Sequence, residues 1–276
     1  MTDALNAPLS RRRVQDRGVL SAQPKDDTMG RVNAIGSVQG LVQRVFFRGK
    51  HPKAAEATTY VVANTLLILG VFFVVLNTIV YDWTGRLYAH GFHLNTALDN
   101  LIPFVPEWSI LYLYIFYPLS VLTMAFFAFV EYKRGYALAW TLVIINLVAD
   151  LVYAVFPVTT DIYRAALLAH PMVGNPFASA MYAHFATDPS FDCLPSLHAA
   201  ISVICAYTWY RYAKSRPNRL TWTIAVAMAI VAVGVMLSTL FVKQHYIADE
   251  VAGMVLALGA GWLVYRRLWD TSQART

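Results

Sequence analysis

Six stretches of this chain are long and apolar enough to cross a lipid bilayer: Thr58 to Tyr81, Ile110 to Phe129, Ala137 to Phe156, Ser196 to Tyr212, Leu220 to Val242 and Tyr246 to Tyr265. A hydrocarbon core about 30 Å thick is spanned by roughly 20 helical residues. The runs therefore predict an all-α fold, a polytopic membrane bundle of six transmembrane helices. Pro118 lies inside the second run, where neighbouring helices can satisfy the carbonyl it frees. Composition agrees: 58% of the 276 residues are hydrophobic and 14% charged, and the mean hydropathy is +0.48, which excludes an ordinary soluble domain. The seven tryptophans, from Trp83 to Trp269, fall close to the ends of the runs, where amphipathic rings favour the membrane interface.

The formal net charge of +6 comes from an N-terminal arm and from short links between apolar runs. That distribution suits anionic lipid headgroups, so no nucleic-acid partner is expected. Residues 1–30 are polar and lack the apolar run of a cleaved signal peptide, and they read as a disordered cytoplasmic arm. In residues 31–57, Val32, Ile35, Val38, Leu41, Val42 and Val45 recur at helical spacing among arginines and lysines. This segment reads as an amphipathic helix on the membrane surface, with a basic linker as the alternative. The membrane domain is expected over residues 58–268, followed by a short tail at 269–276.

Lys and Arg concentrate in the arm, in "EYKRG", in "RYAKSRPNR" and in the tail, whereas the long links from Asp82 to Ser109 and from Pro157 to Pro195 carry only Arg86 and Arg164. The positive-inside rule then puts both termini in the cytoplasm and the weakly charged links outside, in a plasma or inner membrane. Cys193 and Cys205 are the only cysteines. If the segment between them is helical they stand about 18 Å apart, too far for a disulfide.

Two stretches on the expected outer side gather polar chemistry beside lipid, where charge is costly and marks function. In "KQHYIADE", His245 and Asp249 are four residues apart and share a helix face if the last helix starts near His245. A carboxylate on one imidazole nitrogen leaves the other free as nucleophile or base. In "DPSFDCLPSLHAAIS", Pro195 and Ser196 mark a helix start, which places His198 where N–H groups and the helix dipole attract phosphate. Lys243 and Arg164 supply cations on the same side. Separately these are ordinary interfacial residues; together they make a kit for phosphoryl transfer. Asp150, His184, Asp188 and Glu250 read as helix-to-helix hydrogen-bonding or solvated loop positions.

"PSLHA" from Pro195, Ser238, and "HYIAD" from His245 resemble the second and third signature motifs of the type 2 phosphatidic acid phosphatase superfamily, over about the last half of the chain. The resemblance implies a six-span core in which His245 forms a phosphohistidine, Asp249 orients it and His198 protonates the leaving alkoxide. Ser196, Ser238, Lys243 and Arg164 would hold phosphate oxygens, with no metal and no cofactor. Leu197 stands where the family usually has Gly, and Thr239 where it usually has Arg; "FPVTTDIYR", ending in Arg164, stands in for the first motif. The Leu-containing "PSLHA" and the "QHY" look more like inositol phosphorylceramide synthases and related lipid phosphotransferases than like simple phosphatases.

The expected activity is thus that of a membrane lipid phosphatase, or of a phosphotransferase if a lipid alcohol replaces water as acceptor. Two rivals use the same residues. A proton-coupled transporter would place His198, His245 and Asp249 at mid-membrane depth. A metal-dependent hydrolase would use them as ligands, without an "HExxH" to support it.

Overall fold

The computed structural model describes residues 52–188 and 190–268, with side chains from residue 57 onward. The N-terminal arm, nearly all of the expected interfacial helix and the C-terminal tail lie outside the described residues. All named elements are helical. Helix α1 (Pro52–Gly70) runs through a wider, π-wound stretch (Val71–Val80) into α2 (Tyr81–Gly85). After the short α3 (Ala97–Leu101), the second long segment passes through a 3-10 turn (Pro106–Trp108) and a π-wound stretch (Ile110–Ile115) into α4 (Phe116–Phe129). The wide winding immediately precedes Pro118, whose ring would crowd the carbonyl four residues back in an ordinary α-helix.

Then come α5 (Tyr132–Val155), α6 (Asp161–Ala169), α7 (Pro176–Thr187), α8 (Leu197–Ser215), α9 (Arg219–Phe241) and α10 (Ile247–Leu268). Sequence explains the boundaries. Asn175 caps α7 by accepting from the N–H groups of Phe177 and Ala178, with Pro176 at the first position. Asn218 and Thr221 form a reciprocal cap that starts α9 just after Pro217. Beyond α9, Lys243 takes a left-handed backbone, φ 60°, and turns the chain into α10.

Among the described residues, five helical segments are long and apolar enough to cross a membrane: Ala57–Gly85, Pro106–Phe129, Tyr132–Val155, Arg219–Phe241 and Ile247–Leu268. Five of the six expected spans are among them; the expected fourth, Ser196 to Tyr212, is not. The remaining helix, α8, has 19 residues but carries His198, Ser202, Thr208, Arg211 and Lys214. It sits at the centre, packed by α4, α5, α9 and α10, and so meets protein where the others meet lipid. Leu66, Leu122, Leu151, Ile230 and Val255, by contrast, are exposed on the outer helices. An apolar exterior of this kind is stable only in lipid, and the protein is an integral membrane protein.

The two ends of the bundle differ. At one end the α4–α5 turn, the α8–α9 turn and the C-terminus of α10 collect Arg134, Arg211, Lys214, Arg216, Arg219, Arg266 and Arg267; Arg134 there pairs with Glu131 and lies 5.2 Å from the Tyr212 ring. The other end is built from α3, α6, α7 and the turns before α8 and α10. Isolated parallel bridges tie Phe92 to Val158 and Val158 to Asp192, aligning three links over the helix ends. Gly253 brings α10 onto the first turn of α8: a Cβ there would stand 2.3 Å from the Ser196 carbonyl oxygen.

Candidate active site

The start of α10 is fixed by two carboxylates. Asp249 Oδ2 accepts the Tyr246 N–H at 2.8 Å, and Asp99 Oδ1, reaching over from α3, accepts the Ile247 N–H at 2.8 Å. This geometry brings His245 Nδ1 to 3.5 Å from Asp249 Oδ2, an ion-pair separation slightly beyond an ordinary hydrogen bond. Asp249 is wholly buried and His245 nearly so. Burial opposes protonation of His245, but Asp249, Glu250 and Asp192 outweigh it and raise its pKa above the ordinary histidine value.

His198 is the second residue of α8. Ser196 caps that helix, its Oγ accepting the Ala199 N–H at 3.2 Å, while the Ser196 N–H donates to the Asp249 carbonyl at 3.0 Å. The two histidine-bearing elements are thus tied together through their backbones, and the rings of His198 and His245 lie 5.7 Å apart. Tyr112 and Phe116 pack the His198 ring at 4.6 and 4.8 Å, and its buried Nε2 has no hydrogen-bond partner among the described residues.

Arg164 comes to the same place from α6. Its guanidinium donates to the Asp188 carbonyl and carboxylate, both at 2.9 Å, and to Gln244 Oε1 at 2.6 Å. Gln244 adjoins His245, so this bond seats the cation beside the histidine turn. Burial opposes the charge, and Asp188 more than restores it. His184 lies 3.7 Å from Asp188 and shares a 2.9 Å hydrogen bond with the Tyr112 hydroxyl, which completes a polar chain from Arg164 to the ring that packs His198. Burial lowers the His184 pKa.

The remaining residues singled out in the sequence are placed differently. Lys243 Nζ donates to the Asp99 carbonyl at 3.0 Å and sits 4.5 Å over the Tyr163 ring, so its ammonium anchors α3 to the α9–α10 turn. Ser238 is buried, its hydroxyl donating to the Val235 carbonyl at 2.6 Å. Glu250 Oε1 meets the Thr239 hydroxyl at 2.8 Å, the expected helix-to-helix bond. His184 and Asp188, expected as solvated loop positions, are instead partners in the Arg164 network. Asp188, Gln244, Asp99 and Tyr112 were not legible as site residues; the signal that existed was the Asn175–Pro176 helix start, which makes the link after α5 structured.

The metal-hydrolase rival requires His198, His245 and Asp249 to converge as ligands. Among the described residues, the side chains that converge with ligand atoms all within 4.8 Å of one another are instead Cys193, His245 and Asp249. Both cysteines are free and buried. The transporter rival requires mid-depth placement, whereas the histidines sit at helix starts, at one end of the bundle.

A half-open cavity of about 620 Å³, counting its mouth, lies between the π-wound stretch after α1, helix α4 and the start of α8. Phe72, Asn77, Tyr81, Phe116 and Tyr117 line it, and His198 and Asp188 form part of its wall. Of the two histidines, His198 is the one that reaches it.

No curated protein and no solved structure matches the chain. The family model of the PAP2 superfamily matches residues 87–263, a stretch that contains every residue of the histidine, arginine and serine cluster. Well over half of the sequence is covered, and the chain belongs to the PAP2 superfamily.

Proposed function

We propose that this protein is a metal-independent lipid phosphatase or lipid phosphotransferase that works through a phosphohistidine on His245 at the extracytoplasmic face. The observation that carries the reading is the pairing of the His198 and His245 rings at 5.7 Å, with Asp249 behind His245. Asp249 holds the Nδ1 side of the ring, which leaves Nε2 to attack phosphorus. The P–O bond to the lipid breaks as the N–P bond forms, and His198 gives its proton to the departing oxygen. Water or a lipid alcohol then takes the phosphoryl group from His245, with His198 now accepting the acceptor's proton.

Arg164, Ser196 and the N–H groups at the start of α8 are assigned to the phosphate oxygens. Asp188 holds the Arg164 guanidinium in the free protein, so an incoming phosphate competes with a carboxylate for the same donors. Ser238 and Lys243 are assigned supporting roles, Lys243 through the Asp99 carbonyl it already engages. The cavity beside His198 suits the apolar tail of a lipid phosphate. In this reading α8 is a sixth span, shielded from lipid by its neighbours. The basic end of the bundle faces the cytoplasm and the site faces outward.

The "PSLHA" and "QHY" sequences favour a lipid phosphotransferase of the inositol phosphorylceramide synthase kind. The test is to offer the purified chain labelled lipid phosphates and phospholipids, with and without lipid or polyol alcohols, and to identify the products. Phosphate release alone assigns a phosphatase, and alcohol-dependent lipid exchange a phosphotransferase; turnover of neither class refutes the proposal. For the face, Val173→Cys should label from outside intact cells, and Arg219→Cys should not.

A further inference from the structure

The roles given to His245 and Asp249 leave part of their chemistry unused. Asp249 Oδ1 is buried and has no hydrogen-bond partner among the described residues, and buried His245 Nδ1 has only the 3.5 Å ion-pair approach of Asp249 Oδ2, short of a hydrogen bond. Polar atoms so placed need compensation that the protein itself does not supply. Beside them lies Cys193, whose Sγ is held 3.6 Å from the Gln244 carbonyl, against the turn that carries His245. Sulfur, imidazole nitrogen and carboxylate oxygen all fall within 4.8 Å of one another.

We infer that Cys193, His245 and Asp249 form an inhibitory site for a thiophilic divalent cation, zinc above all. The donor set is the soft-plus-borderline combination that selects zinc over magnesium or calcium. Three donors on a tetrahedral zinc, at about 2.0 to 2.3 Å from the metal, stand roughly 3.3 to 3.7 Å apart, so side-chain rotations of about 1 Å close the site. The thiol proton leaves to solvent as the metal binds, and thiolate and carboxylate together neutralise the ion. A metal so bound claims the carboxylate that orients His245 and fixes the ring away from phosphorus. The cation is therefore an inhibitor, the opposite of its part in a metal-dependent hydrolase. Binding stands on the geometry alone; inhibition rests on the phosphohistidine reading.

The test uses the full chain, purified in detergent and stripped of metal, and titrated with Co²⁺ and then Zn²⁺. One Co²⁺ per chain is expected, with a thiolate-to-cobalt charge-transfer band that Zn²⁺ abolishes. The band should vanish in Cys193→Ser and persist in Cys205→Ser. Zinc should inhibit the wild-type chain, and the concentration for half inhibition should rise at least about 100-fold in Cys193→Ser, more than the loss typical of an outer-shell partner. X-ray absorption of the zinc-loaded wild-type chain needs no variant to fold and should show one sulfur with nitrogen or oxygen donors. A zinc shell without sulfur, or a cobalt band that survives Cys193→Ser, overturns the site. Zinc bound through sulfur with turnover unchanged or raised overturns the inhibition. Sulfur-bound zinc in a chain that turns over no lipid phosphate supports the site and refutes the proposed function instead.

Discussion

Asp249→Asn removes one charge and little else, and its effect can be worked from distances. The carboxylate oxygen at 3.5 Å from His245 Nδ1 also accepts the Tyr246 N–H at 2.8 Å. The asparagine oxygen can keep that second bond, so the start of α10 should hold. The same oxygen then still faces His245 Nδ1 and the amide nitrogen takes the place of Oδ1, so the substitution deletes the negative charge and leaves a neutral acceptor behind the ring. A unit charge acting on a developing imidazolium at 3.5 Å, with an effective dielectric of about 20, is worth about 5 kcal/mol. Lost from the transition state, that corresponds to a fall in kcat of between about 10³- and 10⁴-fold. The assay is single-turnover release of labelled phosphate from the best lipid substrate, with circular dichroism melting to confirm the fold. A loss below tenfold in a folded variant would refute the assigned role of Asp249.

Three further outcomes follow from the same geometry. His198→Ala should lose far more rate on a natural lipid phosphoester, whose strongly basic alkoxide needs a proton to leave, than on an activated aryl phosphate, whose weakly basic phenolate leaves without one; His245→Ala should lose both alike. His245 must be neutral to attack, and Asp249, Glu250 and Asp192 outweigh burial and raise its pKa, so kcat/KM should fall as pH drops through a value higher than that of a free histidine. Asp249→Asn should move that acid limb downward, as measured in pH–rate profiles. Gly253→Ala drives a methyl to within 2.3 Å of the Ser196 carbonyl and should cost about 1–3 kcal/mol of stability, seen as a lowered Tm together with reduced turnover, because the same shift displaces the α8 start.

The spanning helices were legible because lipid imposes length and apolarity directly on sequence. The exception, α8, is instructive: most of its surface is buried against α4, α5, α9 and α10, so it is free to carry Ser202, Thr208 and His198 and is less apolar than its neighbours. His198, His245 and Asp249 could be placed together because a capped helix start and a four-residue spacing are local signals. Asp188, Gln244 and Asp99 have no such signal. Asp188 and Asp99 reach the site from separate links, across as many as 148 residues for the Asp99–Ile247 bond, and Gln244, though next to His245, meets its partner Arg164 across 80 residues; only the folded chain makes these pairings. Lys243 shows the limit in the other direction. A cation two residues from His245 invites assignment to phosphate, yet its left-handed backbone turns the side chain onto Asp99 and Tyr163.

The central claim is the covalent intermediate on His245. The direct measurement is rapid quench of the purified chain with lipid substrate labelled at the transferred phosphorus, followed by peptide mapping. The account predicts a labelled protein stable in alkali and labile in acid, as a phosphoramidate is, with the label on the peptide containing His245 and absent from His245→Ala. Acid-stable label on a serine or carboxylate, or full turnover in His245→Ala, would contradict it.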